Sequence, residues 1–586
     1  MSRNSKIKFL LTVLAGAVLA GCADKGTVTV EVVATTDIHG NIFDRDCLNG
    51  EERKGSMAKL ATFLKGERKA DRNLIYLDAG DFMQGSVEIY QDVSAQFNRE
   101  CVATQAYNLL GCEAVVMGNH DFAVGALSYD RFYRSSTFPI LGANVYYERP
   151  GDFLPPYRII EKKGLKIAVI GFTTPVISYS IPRDRVSIEA ADIVESARYW
   201  LPRLREKENP DVIIGLLHSG LEGGRMDDEG VFENSALRLA REVPGFDLIL
   251  FGHDHKAFSG KVADCNGDSV LLLNPGPFME KVAVAKLNVT RNSAAVDVSG
   301  GLEDITGLEP DSRFMKKLSG WYGDVKHYTD SVIGVTQCPM EARGVLWRSS
   351  SILDYVHQFQ MGYNAADVSL TSPVLSQSYF PAGELTIRDV FNMYIYDNTM
   401  VSVMLKGSEI RNALEYSADN FYNTVTDGNG GLLKKRAAGG EGGFMPQAPV
   451  KNLITAAGID YEIDVTKPYG SRVRITGMSD GRPFDPDMMY RTTVNSFLYG
   501  NGESALFLAN GITHKEMLER FNGSSMADLR FFMLTDMQLR NEMETKVSVA
   551  RYTNWKLVPQ DIVSACLAKD TVNFNIVPTQ TSLKWD

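Results

Sequence analysis

The stretch Ala114-Val115-Val116-Met117-Gly118-Asn119-His120-Asp121 runs from apolar, β-rich residues straight into a cluster of polar ones. Four other segments repeat that transition. Val28–Ala34 leads to Asp37-Ile38-His39, and Leu74–Leu77 to Asp78-Ala79-Gly80-Asp81. Val212–Leu217 leads to His218, and Leu248–Phe251 to Gly252-His253-Asp254-His255. The apolar runs read as strands, as does Ile167–Ile170, while Ala95–Leu110 and Ala191–Glu206 carry apolar residues at helical spacing. Strands alternating with helices predict an α/β layered domain. Open α/β sheets present ligand sites beyond the carboxyl ends of their strands. Five distant segments are thereby expected to deliver their polar side chains to one rim.

Each motif alone is weak, since Asp-x-His is common in turns and a histidine after a strand is usually just a satisfied polar group. Together they hold five of the chain's eight histidines. Polar groups gathered beside apolar strands need partners. Divalent cations would supply them, and a nitrogen and oxygen donor set without thiolate suits Mn, Zn, Fe or Co. Seven protein ligands exceed one tetrahedral ion and suit two ions sharing a carboxylate.

The remaining sequence bounds the function. The chain has 586 residues, room for several domains. Its apolar and charged fractions, 44% and 23%, exclude a disordered or collagen-like chain. A net charge of −11 argues against binding a nucleic-acid polymer by electrostatics. Small anionic substrates stay open, because a bound metal brings its own positive charge. Arg3, Lys6 and Lys8 precede an apolar run from Phe9 to Gly21, the pattern of a signal peptide too short to span a bilayer. It ends in Leu19-Ala20-Gly21-Cys22, which resembles a bacterial lipobox, so Cys22 is the expected lipidation site and membrane tether. Export would make the body periplasmic or cell-surface, with a monomer as the expected state. The other six cysteines match no zinc-knuckle spacing and read as isolated thiols.

Farther along, Asp311 to Asp330 places Phe314, Leu318, Trp321, Val325 and Tyr328 at helical spacing and reads as one connecting helix. From about Cys338 new helix and strand signals begin. Thr399–Leu405 reads as a strand, with Ser408 a candidate cap for the helix after it. Asp427–Phe444 is glycine-rich, lacks the Gly-Lys-Ser/Thr of a P-loop and reads as a surface loop.

The order Asp-x-His, Gly-Asp, Gly-Asn-His-Asp, His, Gly-His-x-His resembles the calcineurin-like metallophosphoesterases. Total length and the second domain resemble their secreted 5′-nucleotidase family. Pro381-Ala382-Gly383-Glu384, Tyr394-Ile395-Tyr396-Asp397-Asn398-Thr399, Leu414-Glu415-Tyr416-Ser417-Ala418 and Gly458–Val465 are similar to the bacterial 2′,3′-cyclic-nucleotide 2′-phosphodiesterase/3′-nucleotidase branch. The resemblance implies a two-layer β-sandwich flanked by helices, followed by an α+β substrate domain. The expected boundaries are a signal peptide at 1–21, a tether at 22–27, a catalytic domain at 28–305, a linker at 306–337 and a substrate domain at 338–586. It also implies that Asp37, His39 and His255 hold one metal. Asn119, His218 and His253 would hold the second, with Asp81 bridging. His120 would stabilise the phosphoryl group and the departing oxygen; the family's acidic orienter three positions on is replaced by Ala123, with Asp121 the nearest carboxylate and a candidate catalytic residue, and the missing orienter should weaken His120 as an acid.

In the family, two aromatic rings sandwich a nucleobase. Phe497, four residues before Asn501, matches one ring; the partner position reads Leu453, and Phe444 is a substitute from the glycine-rich segment. The implied substrate is a nucleotide, cyclic or 3′-phosphorylated. A 5′-nucleotide or nucleotide-sugar substrate is the enzymatic alternative, and a non-catalytic nucleotide- or partner-binding surface lipoprotein is the alternative outside enzymes.

Overall fold

The computed structural model describes residues 26–94, 100–149, 151–184, 188–291, 295–437 and 444–573. Cys22 lies outside the described residues. Two six-stranded sheets form the first unit. One runs in the order Val296–Asp304, Lys281–Thr290, Thr27–Thr35, Ile75–Asp78, Ala114–Val116, Ile140–Leu141. The other runs Phe258–Ala263, Ser269–Asn274, Leu248–Phe251, Val212–His218, Leu165–Thr173, Tyr157–Lys162. The sheets pack face to face, because Val30, Val32, Ala34 and Val116 of the first share a buried core with Val169, Ile214, Leu216 and Leu250 of the second. Alternate residues face outward and are covered by helices. Val33 and Tyr76 lie under Met57–Ala70 and Val102–Leu110, while Ile213 and Ile249 lie under Ile193–Glu208 and Ala236–Glu242. Burial on both faces explains the nearly unbroken apolar runs of these strands.

The parallel register positions the site. Thr35 lies opposite Asp78, Thr173 opposite His218, and Phe251 opposite Leu217. The carboxyl ends of these strands are therefore level, and the polar motifs emerge together.

The connecting segment differs from the single helix expected. Asp311 caps a short helix, Ser312–Lys317, by accepting from the backbone of Arg313 and Phe314 at 2.9 Å each. A second helix, Ser319–Asp330, starts after a non-helical Leu318 (φ −104°, ψ 9°). Ser319 and Gly320, weak helix formers, stand at that break. Phe314, Leu318, Trp321 and Val325 are nevertheless all buried, so the apolar spacing marked a real face.

The second unit holds a five-stranded sheet, in the order Thr455–Ala457, Val368–Thr371, Met489–Asn495, Thr399–Lys406, Phe521–Asp528. A three-stranded sheet, Val473–Met478, Ile459–Asp464, Trp555–Val558, completes an α+β body. Its helix Gly407–Phe421 begins one residue before the expected cap. The Glu409 carboxylate accepts from Lys406 N at 2.8 Å, in place of a Ser408 cap. The described residues of the glycine-rich segment do more than line a surface loop, since Leu432 and Leu433 are buried and Lys435–Ala437 pairs with Phe444–Pro446.

The units are not joined only by the connector. Ile333, Leu385, Phe391, Leu529 and Met533 of the second share one continuous core with Ile42, Phe43 and Tyr90 of the first. All six described cysteines are free thiols, with Cys265 and Cys338 exposed and the others buried. No helix among the described residues is long and apolar enough to cross a membrane.

Candidate metal centre and substrate cavity

Two clusters of potential metal-ligating groups form at the strand ends, Asp37 with His39 and His255, and Asp81 with His218 and His253. In the first, His39 Nδ1 donates to the Gln84 carbonyl at 2.8 Å, so its Nε2 carries the lone pair. That Nε2 stands 3.1 Å from His255 Nε2. Asp37 Oδ2 accepts from Thr36 Oγ1 at 2.8 Å and from His253 N at 2.9 Å. Its Oδ1 is buried without a hydrogen-bond partner and lies 3.5 Å from His255 Nε2. An orphaned carboxylate oxygen beside two converging imidazole nitrogens is the donor set a divalent cation satisfies. These residues fit a metal.

The second cluster is oriented from behind in the same way. His218 Nδ1 donates to the Ala79 carbonyl at 2.8 Å, turning Nε2 toward Asp81 Oδ2 at 3.1 Å and Asn119 Oδ1 at 3.3 Å. His253 Nε2 donates to Glu233 Oε1 at 2.9 Å, leaving Nδ1 as the free donor atom. Outer partners of this kind set tautomer and ring orientation at metal sites.

The backbone is bent to reach this arrangement. Asp37, His39, Asp81, His253 and His255 all have positive φ, between 48° and 81°. Such values are uncommon for residues with side chains and persist where surrounding structure over-determines them. Gly118 and Gly252 are required by close approach. A Cβ on Gly118 would collide with Asp81 Oδ1, and one on Gly252 with Thr36 Oγ1.

Electrostatics bind the rim together. Burial opposes ionisation of Asp37, but the nearby His255 and His218 imidazoles outweigh it and hold the carboxyl low. Burial disfavours a charged His218, yet Asp81 and Asp37 raise it to about 10. Burial pushes His120 down to about 4, with Asp81 opposing and His39, His255 and His218 reinforcing.

Asp121, the carboxylate nearest to His120 in the chain, bonds to backbone amides. Its two oxygens accept four backbone N–H groups, those of Asp81 (2.8 Å), Phe82 (2.9 Å), Met83 (2.7 Å) and Gly118 (2.8 Å). A carboxylate so engaged ties the Asp81 loop to the Gly118 turn and has no reach left for a neighbouring ring. His120 Nδ1 instead meets the Gln84 side-chain oxygen, and His120 N donates to Asp81 Oδ1 at 2.9 Å.

Sequence reasoning passed over Gln84, Glu233 and Arg225. Arg225 grips Glu233 through Nη2 (2.8 Å) and Nε (3.1 Å), and its Nη1 donates to the Gly500 carbonyl of the second unit at 2.9 Å. A continuous chain thus joins His253, Glu233, Arg225 and the end of the helix Ser496–Gly500. Burial opposes ionisation of Glu233, but His253 and Arg225 hold its carboxyl well below the usual range. The only sequence signal was the Gly-Gly turn before Arg225, too generic to select it.

That helix carries Phe497. A cavity of about 430 Å³ is lined by His39, Asn119, His120 and His255 on one side and by Phe497 and Asn501 on the other. Lys451 Nζ stands 5.9 Å from the Phe497 ring centroid. Leu453 is buried and contributes no face to this cavity. Phe444 is placed only by its backbone, and its side chain lies outside the described residues.

Two family models match this chain, the calcineurin-like phosphoesterase over residues 30–257 and the 5′-nucleotidase C-terminal domain over residues 332–509. The chain belongs to the calcineurin-like metallophosphoesterases of the 5′-nucleotidase type, and its paired clusters make it a metal-dependent hydrolase. Among its relatives, the 2′,3′-cyclic-nucleotide 2′-phosphodiesterase/3′-nucleotidase of Salmonella typhimurium is 25% identical, over 94% of this chain and 92% of that protein. The trifunctional nucleotide phosphoesterase YfkN of Bacillus subtilis is also 25% identical over 91% of this chain, which spans only 39% of that longer protein. The Haemophilus influenzae NAD nucleotidase structure, 16% identical, shares the fold with a TM-score of 0.57 over 91% of this chain and 99% of its own.

Proposed function

We propose that this chain hydrolyses nucleotides outside the cytoplasm, opening 2′,3′-cyclic nucleotides and removing the 3′-phosphate, while tethered by a lipid on Cys22. One observation carries the reading: the metal-ligating rim and the Phe497 ring face each other across one cavity large enough for a nucleotide. In this reading Asp37, His39 and His255 would hold one divalent cation and Asn119, His218 and His253 another, with Asp81 the carboxylate they would share. Such a cation pair supplies Lewis-acid charge for an in-line displacement at phosphorus. The chain's own residues do the rest. Phe497 stacks on the base and Asn501 borders it. His120, held at Nδ1 by Gln84, presents Nε2 to the departing oxygen. Its low proton affinity rises when a phosphoester anion arrives beside it, because a nearby negative charge favours the imidazolium.

The test is phosphate release from 2′,3′-cyclic, 3′- and 5′-nucleotides with Mn, Zn, Fe and Co in turn. Highest kcat/KM on the cyclic and 3′-substrates is expected. Preference for 5′-nucleotides overturns the substrate assignment. A protein that binds two metals yet turns over none of these substrates overturns the enzymatic reading. For the tether, Cys22→Ala should move the protein from the membrane to the soluble fraction.

A further inference from the structure

The outer face of the first unit carries a cleft of about 560 Å³ between the helices Met57–Ala70, Val102–Leu110 and Ser312–Lys317. Six of its eleven lining residues are cations: Lys65, Arg68, Lys69, Arg72, Arg313 and Lys317. The one lining carboxylate, Asp311, is already engaged. Its Oδ1 caps the helix Ser312–Lys317, and its Oδ2 takes Lys65 Nζ at 2.7 Å. Glu67 turns to Glu31 and Asp71 is held by Lys163, so neither lines the cleft. Lys69, Arg72, Arg313 and Lys317 are exposed and pair with no carboxylate among the described residues. The chain as a whole carries −11, so this positive charge is local and runs against the average. Uncompensated ammonium and guanidinium groups gathered in one cleft are complementary to phosphate.

The cleft lies beside the start of the fold. Lys163 Nζ donates to the Thr29 carbonyl at 2.7 Å and to Asp71 Oδ2 at 2.8 Å, tying the beginning of the first strand to the end of the helix that bears Arg68 and Lys69. The strand register agrees. Val32 lies opposite Ile75, so Arg72 is level with Thr29, each three positions earlier. Cys22 stands five positions before Thr27, a reach of at most about 18 Å when fully extended. The metal-ligating motifs leave the opposite, carboxyl ends of the same strands. Leu109, exposed in the cleft, adds apolar surface of the kind that enters a lipid interface.

We infer that this cleft is a membrane-docking surface that seats the phosphate headgroups of anionic lipids, so that the amino ends of the strands face the bilayer and the metal-ligating rim faces away from it. The inference rests on the proposed tether at Cys22. A lipid anchor fixes one point, about which the body can swing. Charge in the cleft supplies the second contact, which sets orientation. Each Lys or Arg near an anionic surface adds attraction that falls off within a Debye length, and a tether this short lets the cleft reach the headgroups. Substrate then enters from the aqueous side. A nucleic-acid polymer would meet the same charge, but nothing holds it beside the start of the first strand.

The experiment places the lipidated wild type on vesicles of phosphatidylcholine, alone or with about a third phosphatidylglycerol, and follows lysine acetylation by mass spectrometry. Acetylation of Lys69 and Lys317 should slow roughly fivefold or more on the anionic vesicles and recover in about 1 M NaCl, where screening is short-ranged. Lys467, exposed on the second unit, should react alike on both. Arg72→Glu/Arg313→Glu reverses two exposed, unpaired cations and leaves both reporter lysines in place. It should abolish the protection with the melting temperature unchanged. Equal labelling of the wild type on the two vesicles overturns the docking surface, as does protection that survives the double variant or high salt. Equal protection by soluble polyphosphate on phosphatidylcholine vesicles overturns the lipid as occupant. A mature chain whose mass shows no lipid on Cys22 breaks the tether reading alone. The cleft is then judged by salt-sensitive cosedimentation of that chain with the anionic vesicles, and failure to cosediment overturns the proposal.

Discussion

The rim of the first unit and the facing wall of the second are built on opposite principles. At the rim, five residues sit in the left-handed backbone region, and each cluster's side chains are held by neighbours that leave little choice of geometry. At the facing wall, Phe497 rides an ordinary short helix whose Asn495 cap accepts from Leu498 N at 2.8 Å, and Asn501 turns back on Glu503 N at 3.1 Å. Strain and multiple hydrogen bonds locate chemistry that must not move by a fraction of an ångström. Under the proposed function the wall needs only a face at the right distance, and common parts supply it. The rim should therefore fail abruptly when altered and the wall gradually.

The largest effect is expected at Asp81, whose backbone and carboxylate both take part in the rim's hydrogen bonds. Asp81→Asn should lose metal and turnover together while the second unit stays folded, measured by elemental analysis, kinetics and circular dichroism. Two retained metals with normal turnover would remove Asp81 from the centre.

Next comes His120→Ala, expected to keep its metals and lose roughly 10²–10⁴ in kcat, the scale of a lost general acid. The loss should shrink for a nitrophenyl ester, whose leaving group hardly needs a proton. Equal losses for alkyl and nitrophenyl esters would contradict the acid role.

On the wall the expected effects are smaller and fall on KM. Phe497→Ala should raise KM for nucleotides roughly tenfold, about 1–3 kcal/mol of stacking, with kcat held. A lower melting temperature with unchanged KM would make Phe497 a packing residue. Arg225 spans both regions and sharpens the comparison. Arg225→Met should weaken metal affinity, read by titration of the metal-free protein, by 10–100-fold as for outer partners of metal ligands. It should also raise nucleotide KM, because the bond to the Gly500 carbonyl is lost. Loss of only one of the two would show that the chain from His253 to Gly500 does not act as a unit.

The smallest effect tests burial far from either region. Asp247 donates nothing to the site; its Oδ2 accepts from Ile213 N at 2.8 Å, and burial raises it to about 6. A carboxyl whose folded pKa lies above its unfolded value binds more protons when folded, so stability falls as pH rises between roughly pH 4 and 6. Asp247→Asn keeps the acceptor without the titration. Its melting temperature should gain on wild type across that window, by roughly 1–3 kcal/mol of stability at neutral pH. A pH-independent difference would refute the assignment.

The apolar runs and their polar ends were legible because strand burial and metal ligation each demand particular residue types in consecutive positions, whatever surrounds them. Val28–Ala34 with Asp37 and His39, or Leu248–Phe251 with His253 and His255, carry both signals locally. Local pattern could not show that the connector breaks at Leu318, or that Glu409 rather than Ser408 caps its helix, since several nearby residues satisfied the same rule. Tertiary structure alone decided the partners. Asp121 stands next to His120 in the chain, yet its oxygens go to four backbone amides. Gln84, thirty-six positions away, meets the ring. The Arg225 bridge to Gly500 spans 275 positions. Which strand follows which polar residue is a property of the chain order. Which donor finds which acceptor depends on how two sheets and a second unit close around a buried rim, where every polar group must be satisfied by whatever the fold brings within three ångströms.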